Sequence, residues 1–184
     1  EVQEEIAFIQ NRKADCFLLY DLLDEGVLPL RVTHNDTKLN NIMFDSETKE
    51  PLCIVDLDTV MPGLVLFDFG DSIRFGANDC AEDEPDLSKV NFDFDLYETY
   101  VKGFIEGTNG ILTEAELKYL PWGARVITLE QGIRFLTDYI NGDVYYATTR
   151  PGQNLDRART QLKLVQDMEN IWDKMVEAVK NAQK

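Results

Sequence analysis

Five side chains between positions 34 and 58 are of types that handle phosphate, and they are closely spaced: His34, Asp36, Asn41, Asp56 and Asp58. His34-Asn35-Asp36 followed by Asn41 gives the pattern H-x-D-x-x-x-x-N, and Cys53-Ile-Val-Asp-Leu-Asp58 sets two carboxylates at the end of an apolar run. Phosphoryl transfer asks for few groups in one cluster. One carboxylate must orient the acceptor hydroxyl and take its proton; an amide oxygen and a second carboxylate must hold magnesium against the phosphates. Asp36 suits the first role, and Asn41 and Asp56 the second. If Asp56 and Asp58 lie on a strand, alternation points both to one face. Asp58 is then either a further metal or substrate ligand or merely a like-charged neighbour. His34 is the only histidine, and it is expected to support the loop by packing and hydrogen bonding rather than to act as a base.

The elements that must carry these groups are legible in outline. Val2, Ile6, Ile9, Cys16, Leu19, Leu22 and Leu23 recur at mostly helical spacing, which predicts a helix over 2–25 closed by Gly26. The runs Leu30–Thr33, Asn41–Phe44 and Leu52–Val55 are too short for helices and read as small strands. Ala77–Ser88 is acidic and predicts a mobile surface loop. Beyond it the pattern is helical. Tyr97, Val101, Phe104 and Ile105 make one apolar face, and Thr113 with Glu116 spells a capping box. Leu129, Ile133, Leu136 and Ile140 mark a further helix ending near Asn141-Gly142, and Leu155 to Val179 predict one long amphipathic helix. The fold class is α+β, mainly α, with a small strand cluster around the catalytic loop. Residues 1–184 read as a single domain.

Composition narrows the partners. The 184 residues carry 18 Lys and Arg against 34 Asp and Glu, a formal charge of −16, which disfavours nucleic acid because a phosphate backbone calls for clustered cations. Cys16, Cys53 and Cys80 form no CxxC pair, so neither a disulfide framework nor a zinc site is expected, in keeping with a cytoplasmic protein. No apolar run approaches the ~18 residues of a membrane span.

From Thr33 to Phe75 the chain resembles the aminoglycoside phosphotransferase family, whose loop reads H-G-D-x-x-x-x-N and whose magnesium aspartate lies in I-D-[FWL]. Within that family it is similar to bacterial N-acetylhexosamine kinases, which carry H-N-D-T-K-x-N-N, then [VI]-D-L-D-T-V-M-P-G and D-F-G-D-x-I-R-F; the likeness extends more weakly to Tyr146. The resemblance implies the carboxy-terminal lobe of a protein-kinase-like fold, using ATP with Mg²⁺ to phosphorylate a small sugar. The best fit is the anomeric hydroxyl of an N-acetylhexosamine. It further implies that Arg134 and Tyr145 grip the sugar and that Phe75 walls its pocket. Asp68-Phe69-Gly70 spells the DFG of protein kinases, but Asp68 lies 32 residues past Asp36, too far for the usual hairpin, whereas Asp56 lies 20 past it. Asp68 matches instead the family's structural aspartate, expected to hydrogen-bond the backbone of the catalytic loop.

No GxGxxG, GxxxxGK[ST] or V-A-I-K-like lysine occurs. The nucleotide-covering amino-terminal lobe of such kinases is therefore expected to be missing from these residues. Alone they should bind nucleotide poorly and expose an apolar surface suited to that lobe or to an oligomeric partner. Other acceptors on the same fold (aminoglycoside, choline, homoserine or methylthioribose) are the alternatives, with a non-catalytic interaction module as a third. A relic would have no reason to keep Asp36, Asn41 and Asp56 together.

Overall fold

Two helices, not one, open the computed structural model, which describes all residues from 1 to 184: α1 (Gln3–Gln10) and α2 (Asp15–Asp24). The chain breaks over 11–14 because its apolar residues serve different cores. Val2, Ile6 and Ile9 pack against Phe135, Leu136 and Leu155, whereas Leu19, Leu22 and Leu23 pack with Leu28, Leu64 and Leu66. Arg12 fixes the corner, donating to Glu169 at 2.8 and 2.6 Å and to the Phe8 carbonyl at 2.8 Å. Gly26 takes φ +72° and turns the chain, as its place after the helix predicts.

Four short strands follow: β1 (Arg31–Thr33), β2 (Ile42–Phe44), β3 (Pro51–Ile54) and β4 (Met61–Gly63). They make two antiparallel pairs, β1 with β4 and β2 with β3. Asp56 and Asp58 lie on neither pair. β3 ends at Ile54, Asp56 is left-handed at φ +65°, and Leu57–Thr59 form a 3₁₀ turn, so strand alternation does not place Asp58 beside Asp56. Asp58 stands exposed on that turn. Apolar side chains here face solvent: Val32 is 82% exposed, and Leu52, Ile54 and Leu57 are each more than half exposed. The strand cluster therefore offers an uncovered apolar surface.

The helical body comprises α3 (Val65–Gly76), α4 (Phe94–Gly107), α5 (Glu114–Ile140), α6 (Gln153–Asn170) and α7 (Trp172–Asn181). Two expected helices merge in α5, which runs unbroken through Pro121, and its capping box is formed by Thr113 and Glu116. The expected long terminal helix divides instead at Ile171. The division lets Trp172 meet Trp122 edge-on at 5.1 Å while Met175 and Val179 join the core of Phe69, Ile73, Tyr97 and Val101. The acidic loop over 77–88 is tied to the body: Arg74 reaches Glu82 at 2.7 Å, and Gln153 reaches Asp83 at 2.9 Å. The architecture is α+β, mainly α, consistent with a kinase-like lobe.

Helices α3 and α5 touch through their backbones at two glycines. A Cβ on Gly70 would collide with the Gly123 carbonyl, and one on Gly123 with the Leu66 carbonyl. Gly70→Ala is expected to destabilise by roughly 1–3 kcal/mol, at the upper end because backbone cannot step aside. Gly76→Ala, whose Cβ would meet nothing within 4 Å, should be neutral or mildly stabilising. Urea midpoints at unchanged slope decide it; equal midpoints for the two variants would refute the close approach.

The Arg31–Glu116 pair ties β1 to α5, at 2.7 Å for both Nε–Oε1 and Nη2–Oε2. Burial alone would raise the Glu116 carboxyl, but the hydrogen bond from Arg31 and the Thr113 amide hold it below its ordinary 4.5. A carboxyl depressed in the folded state stabilises above its unfolded pKa and loses that contribution as pH falls through the folded value. Glu116→Gln should therefore lower Tm at pH 7, with the gap from wild type closing as pH drops from 4.5 downward. A gap that stays constant through acid would remove this pair from the stability balance.

Candidate active site

The loop from Thr33 to Asn41 is shaped before any ligand arrives. β1 delivers it, and Asn35 bends it at φ +64°. An L-residue with a Cβ is disfavoured there, Gly and Asn least so, which gives a physical reason for Asn35 at the Gly position of H-G-D. The Asn35 amide also donates to the Thr59 carbonyl at 3.0 Å and its oxygen accepts from Thr33 Oγ1 at 2.9 Å. From α3, the two Asp68 oxygens accept the His34 and Asn35 backbone N–H groups at 2.8 and 2.7 Å. Thr37 Oγ1 donates to the Asp68 carbonyl at 2.6 Å. Burial pushes the Asp68 carboxyl above its ordinary 3.8 against those two amide bonds. His34 Nδ1 accepts from the Asp36 amide at 3.3 Å, which leaves Nε2 to donate to the Val55 carbonyl at 3.1 Å. One imidazole thus joins the loop to the residue before Asp56.

Asp36 and Asn41 meet directly. The Asn41 amide nitrogen donates to the Asp36 carbonyl and to Asp36 Oδ2, both at 2.8 Å. Lys38 Nζ also lies 2.7 Å from Oδ2. Burial would raise the Asp36 carboxyl, but hydrogen bonds from Lys38 and Asn41, with the nearby Lys38 charge, hold it below 3.8. The ammonium is raised above 10.5, first by its bond to Asp36, then, against burial, by the fields of Asp36, Asp56 and Asp71. The Val55 amide hydrogen bonds the Asn41 carbonyl at 2.9 Å, so Asp56 follows directly on a residue tied to Asn41. Asn41 Oδ1 and the exposed Asp56 carboxylate accept no hydrogen bond from the protein, so both remain free to ligate a hard cation. The donor chemistry fits magnesium. Lys38 escaped the sequence reading, although a cation two residues past a candidate base was a visible signal.

The more distant candidates fall in two places. Arg134 and Tyr145 line one cavity of about 380 Å³, with the guanidinium carbon 6.0 Å from the Tyr145 ring and 5.6 Å from that of Tyr146. Arg134 makes no ion pair within the protein. Phe75 lines a different cavity, of about 240 Å³, beside Arg74, Glu82 and Gln161. Asp138, which no motif marked, fixes the tyrosine loop: its carboxylate accepts the amides of Val144, Tyr145 and Tyr146 at 3.0, 2.9 and 2.9 Å. Burial opposes its ionisation, but these three donors hold it below 3.8. Only the folded loop reveals such a hub, since three of its partners are backbone amides and the fourth is the Asn154 side chain at 2.9 Å.

Residues 3–100 match the sequence profile described as the phosphotransferase enzyme family, APH. The match takes in the loop from Thr33 to Asn41, Asp56, Asp68 and Phe75, and stops before Arg134 and Tyr145. No helix is long and apolar enough to cross a membrane.

Proposed function

Because the chain belongs to the phosphotransferase enzyme family, we propose that it carries the catalytic residues of a kinase that passes the γ-phosphate of ATP to a sugar hydroxyl. The carrying observation is the Asp36 carboxylate, held by Asn41 and Lys38 on a loop whose backbone Asp68 fixes. Kinases of this family generally use ATP with magnesium. Asn41 and Asp56 would hold the ion, which when bound neutralises charge on the phosphates.

Asp36 orients the acceptor hydroxyl and takes its proton as the oxygen attacks. Its carboxyl lies below 3.8, so it is ionised throughout the neutral range and acts chiefly by position. Lys38 sets a cation against the charge on the transferred group. His34 and Asp68 keep the loop in register. The exposed apolar side chains of the strand cluster suit closure by an amino-terminal lobe over the nucleotide.

The acceptor proposed is an N-acetylhexosamine at its anomeric hydroxyl, with Arg134 and Tyr145 gripping the sugar and Phe75 and Asp58 at its edges. An unpaired guanidinium beside a tyrosine face supports this, since a planar donor fork and a flat ring with a polar tip suit a sugar. The test is transfer of labelled γ-phosphate by the full-length protein to a panel of N-acetylhexosamines, aminoglycosides, choline and homoserine. Label on the N-acetylhexosamines is the expected result. Label on a cationic acceptor alone would move the substrate, and no magnesium-dependent transfer at all would leave a non-catalytic module.

A further inference from the structure

Tyr145 owes its place beside Arg134 to its backbone. The ring is 73% exposed, and α5 has already ended at Ile140. Gly142 at φ +92° and Asp143 at φ +59° then turn the chain into an irregular loop. The amides of Val144, Tyr145 and Tyr146 meet no backbone carbonyl there. One carboxylate accepts all three: Asp138 Oδ1 takes Val144 and Tyr145 at 3.0 and 2.9 Å, and Oδ2 takes Tyr146 at 2.9 Å. Asp138 follows Arg134 by four residues on α5, so the two share a helix face. The helix that presents the guanidinium therefore also presents the group that sets the tyrosines against it.

Helix α6 closes the arrangement from the other side. Asn154, fully buried, donates to Asp138 Oδ2 and to Asp143 Oδ1, both at 2.9 Å, and its own oxygen accepts from Arg157 at 2.9 Å. Tyr146 is held in addition by its ring on Phe135, with centroids 4.7 Å apart, and by Gln131, which donates to its hydroxyl at 3.2 Å. Tyr145 stands edge-on to Tyr146 at 4.8 Å. A loop on the surface can leave its amides to water, whereas a carboxylate only 4% exposed is costly to bury without donors. Four donors on Asp138 make a rigid support, the construction expected where a loop must hold a side chain ready for a ligand.

We propose that Asp138, backed by Asn154, is a positioning residue for the acceptor. By fixing the backbone of 144–146 it holds the Tyr145 ring at the cavity of about 380 Å³ shared with Arg134 before the sugar arrives. A loop ordered in advance loses less freedom on binding, so the sugar binds more tightly. The assignment rests on the acceptor site proposed above, a neutral sugar held by Arg134 and Tyr145.

The test uses the full-length protein with N-acetylglucosamine, read as calorimetric sugar affinity, KM for ATP, phosphate transfer and amide exchange at 144–146. Asp138→Asn turns one accepting oxygen into a donor. It should speed exchange of these amides and weaken sugar binding roughly 5–30-fold, the usual consequence of one lost contact, with KM for ATP unchanged. Because Asp138 acts through Tyr145, the losses should not add: in a Tyr145→Ala background, Asp138→Asn should weaken the sugar little further. Asp143→Gly suits φ +59° and removes only a tie to Asn154. It should weaken the sugar in the same direction, by less, and serves if Asp138→Asn does not fold. Additive losses, unchanged sugar affinity despite faster exchange, or a KM for ATP that rises in step would make Asp138 merely structural and overturn the proposal. So would an unfolded Asp138→Asn beside a silent Asp143→Gly, or a Tyr145→Ala variant that binds sugar as wild type does. Sugar binding that depends on Asp138 without phosphate transfer would defeat the kinase function and leave this assignment standing.

Discussion

Asp36→Asn should lower kcat by roughly 10²–10⁴ while leaving KM for ATP nearly unchanged, the usual worth of a positioned general base. The substitution keeps size and shape, so the Asn41 amide can still donate to the backbone carbonyl of residue 36, 2.8 Å away in wild type. What disappears is the charge that Lys38 and Asn41 hold in place and the acceptor for the substrate proton. The pH profile adds a second reading. The Asp36 carboxyl lies below its ordinary 3.8, so its protonation cannot produce an acid limb in the neutral range. A wild-type rate that titrates near pH 6 through a group lost in Asp36→Asn would contradict that environment. A variant with near-normal kcat would remove Asp36 from the chemistry.

Asp56→Asn and Asp68→Asn should fail in different ways. Asp56 is exposed, left-handed at φ +65° and free of hydrogen bonds to the protein. Its loss should leave Tm almost unaltered, weaken Mn²⁺ binding measured by electron paramagnetic resonance, and cut turnover in a manner partly restored by excess magnesium. Asp68 has both oxygens committed to the His34 and Asn35 amides. An Asn there can accept only one of the two and sets an NH₂ against the other N–H, leaving a partly buried donor unsatisfied at about 1 kcal/mol or more. Asp68→Asn should therefore lower Tm and disorder the loop, and added magnesium should not restore turnover. The reverse pattern, with Asp68→Asn rescued by metal and Asp56→Asn silent, would make the literal DFG aspartate the ligand.

Local chemistry and spacing carried much of this protein. The H-x-D-x-x-x-x-N loop and the aspartate after an apolar run are short-range patterns, as are the Thr113–Glu116 capping box and the Gly26 turn. Each depends on residues a few positions apart, so each can be read without knowing the fold. Tertiary structure alone decided the rest. It broke the first helix at 11–14 and the last at Ile171, and it fused two predicted helices into α5. Periodicity records which side chains are apolar, not which neighbour will cover them, and the chain turns where its partners change. It also set Asp58 on a 3₁₀ turn rather than a strand face. Asp138 met its loop amides through contacts that carry no motif, because backbone amides look alike in every sequence.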